Sequence, residues 1–438
     1  GFLGPTSMWS FFRRAVALAE KRQPLSQLTS PDIFGVDGDA FRLRWVPQPP
    51  EAVPDLENLP PVDYALCLFH TVKFHLGQFA QIIDEPTFLA RLEAFDGKAL
   101  EVAQTQRLWL TEYLLILAFG EAFTAQAGPA LVPPGSNFAE RALAVLPDFA
   151  QLHEEGLESI EVLALVALYF HSIDMRSSAY QYIGHALRLC YIEGIHREMS
   201  EQVFGPHLVQ RCRTLWWNVY ILDRRLSAQL GAPSSIRDEE ITMGLPLTES
   251  GGSSTAVTLS LSVKLSRLLA TIMTGKLADH DEIMLTRKQS TTPSRMMSSI
   301  TLMYHHCILH ATRPLVMCLF KAFVEPGKPD HGRDLSISPP IASLLKSAVS
   351  SALATLKLLT SLEKQRPIES FLPFDLEYAF ASALSLCIIR TVLPHFVPDQ
   401  SWFQKAVSLL DKMISQGGIV ARLRKNELQR LEQLLIPL

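Results

Sequence analysis

Apolar residues recur at three- and four-residue intervals through most of the chain, the spacing of helices that bury one face. A first helix is predicted over Met8 to Arg22, capped by Ser7 and stopped by Pro24. Residues 24–61 are rich in Pro and Asp and contain one short β-like run, AFRLRWV. Pro60 and Pro61 then open a helix, VDYALCLFHTVKFHLGQF, and Pro86 sits just inside the next one. Further helices are predicted at about 105–126, 137–147, 157–171, 177–193, 207–230, 257–277, 295–311, 314–324 and 340–364, with long apolar segments over 370–394 and 400–435. Gly194, followed by Ile195, ends the helix over 177–193. Loops are predicted at TESGGSSTAV and EPGKPDHGRD. The class is all-α, a multi-helix arrangement of stacked layers. Residues 1–60 form an N-terminal helix and extended wrap, 61–325 the core, and 326–438 a C-terminal helical part of the same domain.

The stretch RTLWWNVYILDRRLSAQLGAPSSI carries the most unusual pattern. At 100° per residue, Leu208, Cys212, Leu215, Trp216, Val219, Leu222, Leu226 and Leu230 share one arc, and Asp223 lies within it. A second arc holds Arg213, Trp217, Tyr220 and Arg224, leaving a stripe of Gln210, Thr214, Asn218 and Arg225 for solvent. Two non-polar faces imply a helix sandwiched between others, with Trp216 and Trp217 buried against different neighbours. Arg213 and Arg224 are placed to stack on Trp217. Asp223 requires a partner there, and Arg188 in HALRLC is the candidate. Gly231 and Pro233 end the helix.

GHALRLCYIEGIHRE followed by RCRTLWWNVYILDRRLSAQLGAPSSIRDEEITMGLP resembles the fungal-specific transcription factor domain, the middle homology region of fungal zinc-cluster regulators. Arg188, His196, Arg197, Arg213, Trp216, Trp217, Asp223, Arg224, Gly231, Pro233, Leu245 and Pro246 match its pattern. FHTVKFHLGQFAQIIDEPTFLARL resembles the family's opening and HATRPLV a late Arg-Pro element, so the likeness covers about 60–320. It implies a nuclear regulator that contacts DNA through a zinc-cluster module, the only place where zinc is expected. It also implies a small-molecule effector and coactivator or corepressor proteins, and it leaves open a homodimer. The sequence does not start with Met, so that module is expected outside this chain.

Composition agrees with a role away from DNA. Of 438 residues, 48% are hydrophobic and 19% charged, and the formal net charge is -4, which supplies no basic surplus for phosphates. The six cysteines show no paired metal-knuckle spacing, and most fall in apolar helical runs as buried thiols. No unbroken run reaches the roughly 18 apolar residues of a membrane span, since Glu112 interrupts LWLTEYLLILAF, and no membrane partner is expected. Arg13 and Arg14 directly after Phe12 exclude a secretory pattern.

Other chemistry is weaker. Asp279, Asp281 and Glu282 form an acidic cluster of the kind terpene synthases use for magnesium, but beside a polar loop and without a second motif. His306 and His310 have the i, i+4 spacing of zinc ligands without the accompanying Glu of HExxH. There is no Gly-rich phosphate loop and no nucleophile elbow. AYQYIGHALRLC resembles one tetratricopeptide helix, but no second copy follows at a fixed period. An all-α enzyme such as a terpene-synthase-like protein and a helical-repeat scaffold are therefore the alternatives. No catalytic residue, metal site or cofactor is assigned. Polar side chains on otherwise apolar helices are the candidates for an effector pocket: Trp109, Tyr113, His171, Tyr304, His305 and Arg313, the last at a helix start where its guanidinium could meet a carboxylate.

Overall fold

A computed structural model describes residues 7–20, 38–77, 79–95, 97–125, 132–246, 254–274, 295–324, 337–365 and 368–437. It is all-α, with no strand among the described residues. In chain order the helices are α1 (Met8–Glu20), α2 (Val62–Leu76), α3 (Glu85–Phe95), α4 (Ala99–Thr105), α5 (Arg107–Thr124), α6 (Ser136–Val145), α7 (Leu157–Ser172), α8 (Arg176–Ile192), α9 (Glu201–Phe204) and α10 (Pro206–Leu230). Then follow α11 (Ser254–Thr274), α12 (Arg295–Val324), α13 (Pro339–Gln365), α14 (Pro373–Val392), α15 (Ser401–Ser415) and α16 (Ile419–Leu435).

Helices α5, α7 and α14 are apolar on every side, and nearly every residue along them is buried. Such a helix has no face to give to water and must sit between others. Helix α5 packs on α2, α6 and α7, α7 on α8 and α10, and α14 on α12, α13, α15 and α16. Helices α10, α11 and α12 pack in sequence and join these two layers. Helix α1 crosses to the far side and seats Phe11 and Phe12 against α12, α14 and α16. One continuous apolar core therefore runs from Phe11 to Leu435.

AFRLRWV is extended coil, with no second strand among the described residues to pair with it. It still has a packing role: Leu43 is buried and Trp45 meets Phe170 at 5.8 Å. The wrap is pinned by Arg107 to the Pro49 carbonyl at 2.6 Å and by Arg141 to the Asp55 carbonyl at 2.6 Å. At Gly120 a Cβ would lie 2.6 Å from Leu68 Cβ, so glycine there lets α2 approach α5 closely.

Several boundaries differ from the sequence reading. Pro314 does not begin a new helix but lies inside α12. The missing N–H costs one backbone bond, while buried Leu309, Thr312, Arg313 and Val316 hold both flanks in the core. The apolar stretch over 400–435 is two helices, parted at Gly417, whose φ of 89° a side chain would strain. Cys67 and Cys318 are exposed, and only the other four thiols are buried. Three stretches, Ser254–Met273, Arg295–Val324 and Pro339–Gln365, are long and apolar enough to cross a bilayer by length and composition. The criterion of an unbroken run missed them, because their apolar residues are interspersed with Ser, Thr and His. The predicted loops at TESGGSSTAV and EPGKPDHGRD fall largely outside the described residues, and Asp279, Asp281 and Glu282 wholly so.

Candidate functional site

Helix α10 organises the chemistry of the molecule. Trp216 and Trp217 are both fully buried, and Trp217 Nε1 donates to the Gly244 carbonyl at 2.9 Å. The cation over Trp217 is Arg267, at 5.4 Å, rather than Arg213 or Arg224. Arg213 reaches Glu198 at 3.4 Å, and Arg224 lies over Tyr220 at 4.8 Å. Asp223 is sealed from solvent, but Arg188 is not its partner. Arg188 is exposed and donates to the Gly184 carbonyl one turn back on its own helix. Asp223 Oδ1 instead accepts from Ser235 Oγ at 3.0 Å, in the segment after α10. Burial raises the Asp223 carboxyl to about 6, with the Ser235 hydrogen bonds and the Arg224 charge opposing it; the predicted partner Arg188 acts only as a weaker charge that is not bonded to it. Arg224 closes the same segment, donating to the Ile236 carbonyl at 2.8 Å and to Asp238 at 2.7 Å, while Tyr220 donates to Asp238 at 2.8 Å. Gly231 adopts the left-handed conformation at φ 64° and turns the chain into this lock.

The stripe assigned to solvent has another destination. Asn218 is buried, donates to the Gln81 carbonyl and accepts from the Gln81 N–H, both at 3.1 Å. It thereby fixes the α2–α3 connection beside α10. Between them lies a groove of about 730 Å³. Phe69, Leu76, Ile82 and Leu215 supply apolar walls, and Gln210 and Thr214 from the stripe line one side. Lys73 and Glu85 pair across it at 2.6 Å.

The groove floor is acidic. Glu161, on α7, is buried and accepts from Arg211 Nε at 3.1 Å and Nη2 at 2.8 Å, both through Oε1. Arg211 also reaches Asp84 at 3.2 Å. Burial raises Glu161 to about 7 against the opposing Arg211 charge. Behind it Glu112, on α5, is raised well above the carboxylate range, first by burial and then by Glu161 and Glu158. Glu158 is paired with Arg91 from α3 at 2.5 Å.

Only part of the set chosen from sequence converges. His171 and Arg313 line a second, much smaller cavity of about 50 Å³, room for a few waters at roughly 10–15 Å³ each. There His171 Nε2 meets Glu377 at 2.8 Å, and Gln229 donates to the same oxygen. His306 and His310 face each other at 3.1 Å, with Arg313 against His310. Burial, then the Arg313 charge, holds both imidazoles well below their usual range, and burial lowers Arg313 itself to about 9. No group of three His, Cys, Asp or Glu among the described residues could hold a metal ion. Trp109 and Tyr113 lie elsewhere, stacked on each other at 5.4 Å in the core. Tyr304 and His305 are half-buried neighbours outside both cavities. Asp84, Glu161 and Arg211 were not singled out from sequence. The signal was present in LESIEVLALVALYFHS, where Glu161 interrupts an apolar helix as Asp223 does.

This fold carries the fungal-specific transcription factor domain: the family's model matches residues 68–311, and the chain belongs to that family. Every wall of the larger groove lies within the matched region. The chain is 24% identical over 339 residues to an uncharacterized transcriptional regulatory protein of Schizosaccharomyces pombe, covering 70% of this chain and 42% of that protein. It is 24% identical over 182 residues to the negative regulator of pleiotropic drug resistance of Candida glabrata, covering 39% and 18%. It is 32% identical over 92 residues to activator of stress genes 1 of Saccharomyces cerevisiae, covering 21% and 10%. The chain spans less than half the length of these relatives. No solved structure matches it.

Proposed function

We propose that this chain is the regulatory region of a nuclear zinc-cluster transcription factor whose DNA-binding module lies outside it, and that a small-molecule effector binds in the groove between α2, α7 and α10. The observation that carries the effector is the groove itself: its volume of about 730 Å³ falls in the range of ligand sites, roughly 300–1,000 Å³. The smaller cavity holding His171 and Arg313 is too tight for such a molecule. The names of two relatives, a regulator of drug resistance and an activator of stress genes, suit proteins that answer to chemical conditions. An effector acts as a switch only by binding one arrangement of the helices better than another. The joint between the α2–α3 connection and α10, held by Asn218 on Gln81 and Arg211 on Asp84, is the element it would bias.

The test joins the chain to an unrelated DNA-binding domain and measures a reporter in cells across a library of metabolites and xenobiotics. An effector is expected to change output severalfold, and Thr214→Trp, which fills the groove, is expected to abolish the response at equal protein level. Identical output with and without the chain would sink the regulatory reading.

A further inference from the structure

We propose that the groove ligand is an organic cation, an apolar body carrying one ammonium or amidinium group set against Glu161. This rests on the reading of the groove as the effector site and names the chemistry that site selects. The walls from Phe69, Leu76, Ile82 and Leu215 ask for an apolar body. The floor asks for a positive charge. Among the groups lining the groove, three carboxyls, those of Asp84, Glu85 and Glu161, face two cations, Lys73 and Arg211; behind them Glu112, raised well above the carboxylate range by burial, adds no charge. Arg91 is taken by Glu158, and Arg211 divides itself between Asp84 and Glu161. Both Arg211 bonds to Glu161 land on Oε1, and no hydrogen bond from the described residues reaches Oε2. The other cation of the groove, Lys73, is held by Glu85. An anionic ligand would add like charge to a floor already in acidic surplus. A neutral one can at most donate a hydrogen bond to Glu161 and leaves its charge uncompensated. A cation supplies both charge and donor in one charge-assisted hydrogen bond.

Three probes of one shape separate these cases: biphenylbutylammonium, the matching alcohol and the matching carboxylate, titrated calorimetrically into the full chain. The ammonium is expected to bind at least about tenfold more tightly than the alcohol, and the carboxylate not at all. Binding beside a carboxyl that is partly protonated at neutral pH releases a proton, so the heat measured for the ammonium should vary with the ionisation enthalpy of the buffer. Glu161→Gln is expected to remove both the preference and the buffer dependence. Gln210→Lys adds a cation at an exposed position on the groove wall and should weaken ammonium binding about tenfold, whether or not the Glu161 variant folds. Equal affinity for the three probes, no binding of the ammonium, or full affinity in the Gln210 variant overturns the proposal. If the ammonium fails while the reporter fusion still answers to some effector through the groove, the cation is wrong and the regulatory reading stands. If the ammonium binds as described and the reporter is inert, the site stands and the regulatory reading falls.

Discussion

Asp223 on α10 and Glu161 on α7 both put a carboxyl on a helix with apolar surroundings, and burial raises the two alike, to about 6 and about 7. Their neighbourhoods differ. Around Asp223 the chain turns back on itself, and Ser235, Arg224, Tyr220 and Asp238 close a local network. Around Glu161 the charges come from three helices and the connection between α2 and α3, the carboxylates Asp84, Glu158 and Glu161 outnumber the guanidinium groups of Arg91 and Arg211, and a groove opens directly above. A buried carboxyl held at one oxygen by a sequence neighbour, with the other oxygen buried and unbonded among the described residues, fixes a turn. A buried charge left in surplus beside open space is available to something else.

The sharpest break of the first network is Arg224→Ala. It leaves the buried Ile236 carbonyl without its donor, takes the closer cation from Asp238 and removes the cation over Tyr220, so a loss of about 3 kcal/mol is expected in urea unfolding. Arg224→Lys should recover less than half, since an ammonium cannot serve both acceptors in one plane.

Next comes the pH dependence of Asp223. Below about pH 4 both folded and unfolded chains hold its proton. Between about pH 4 and 6 the unfolded chain has released it and the folded chain has not, so stability falls as pH rises, by about 3 kcal/mol in total. Asp223→Asn keeps an acceptor for Ser235 and has nothing to ionise. The difference in unfolding free energy between wild type and variant should therefore shift in the variant's favour across that window and stay flat above it. A flat difference throughout would mean that Asp223 is not buried as described.

Gly120→Ala tests the other side of the comparison. It forces α2, which carries the groove wall, away from α5 at Leu68. A cost of about 1–3 kcal/mol is expected from thermal unfolding, together with weaker ammonium binding. The smallest effect is the coupling between the two carboxyls. Asp223 lies twelve residues along α10 from Arg211, about 18 Å. Asp223→Asn and Glu161→Gln should thus be additive to within about 0.5 kcal/mol. A larger interaction would mean that the lock and the groove form one unit.

The helical layers were legible because they rest on the spacing of apolar residues, a local property. The end of α10 at Gly231 and the burial of both tryptophans follow from α10's own sequence in the same way. Partner choice was not legible. Arg188 lies on the neighbouring helix and looks like a match for Asp223, yet the neutral Ser235, close in sequence, reaches it first. Asn218 and Thr214 read as solvent-facing on a helical wheel, but a wheel cannot show that the α2–α3 connection comes to lie on that stripe. Glu161 was overlooked for the same reason. Its significance depends on Asp84, Arg211 and Glu112, which arrive from separate helices and from the residue just before α3. His171 and Arg313 were rightly read as polar groups among apolar neighbours. They meet beside one cavity, His171 against Glu377 and Arg313 against His310, in a space far smaller than a ligand.

The reach of α16 has a consequence for how the chain is made. Arg424 bonds Asp174 at 2.6 Å across 250 residues, and Arg430 bonds Glu20 at 2.7 Å across 410. Asp174 is held in the left-handed region, at φ 70°, and its carboxyl is kept below the usual range because Arg176 and Arg424 outweigh the effect of burial. During synthesis α1 emerges well before α12, α14 and α16, the helices that seat it. Until α16 arrives, Phe11 and Phe12 have only part of the surface that later covers them, and Asp174 lacks one of its two cations. Contacts of such long sequence separation form late and slowly, and a chain in that interval exposes apolar surface. Truncation before α16 is thus expected to leave a nearly complete set of helices that cannot close around α1.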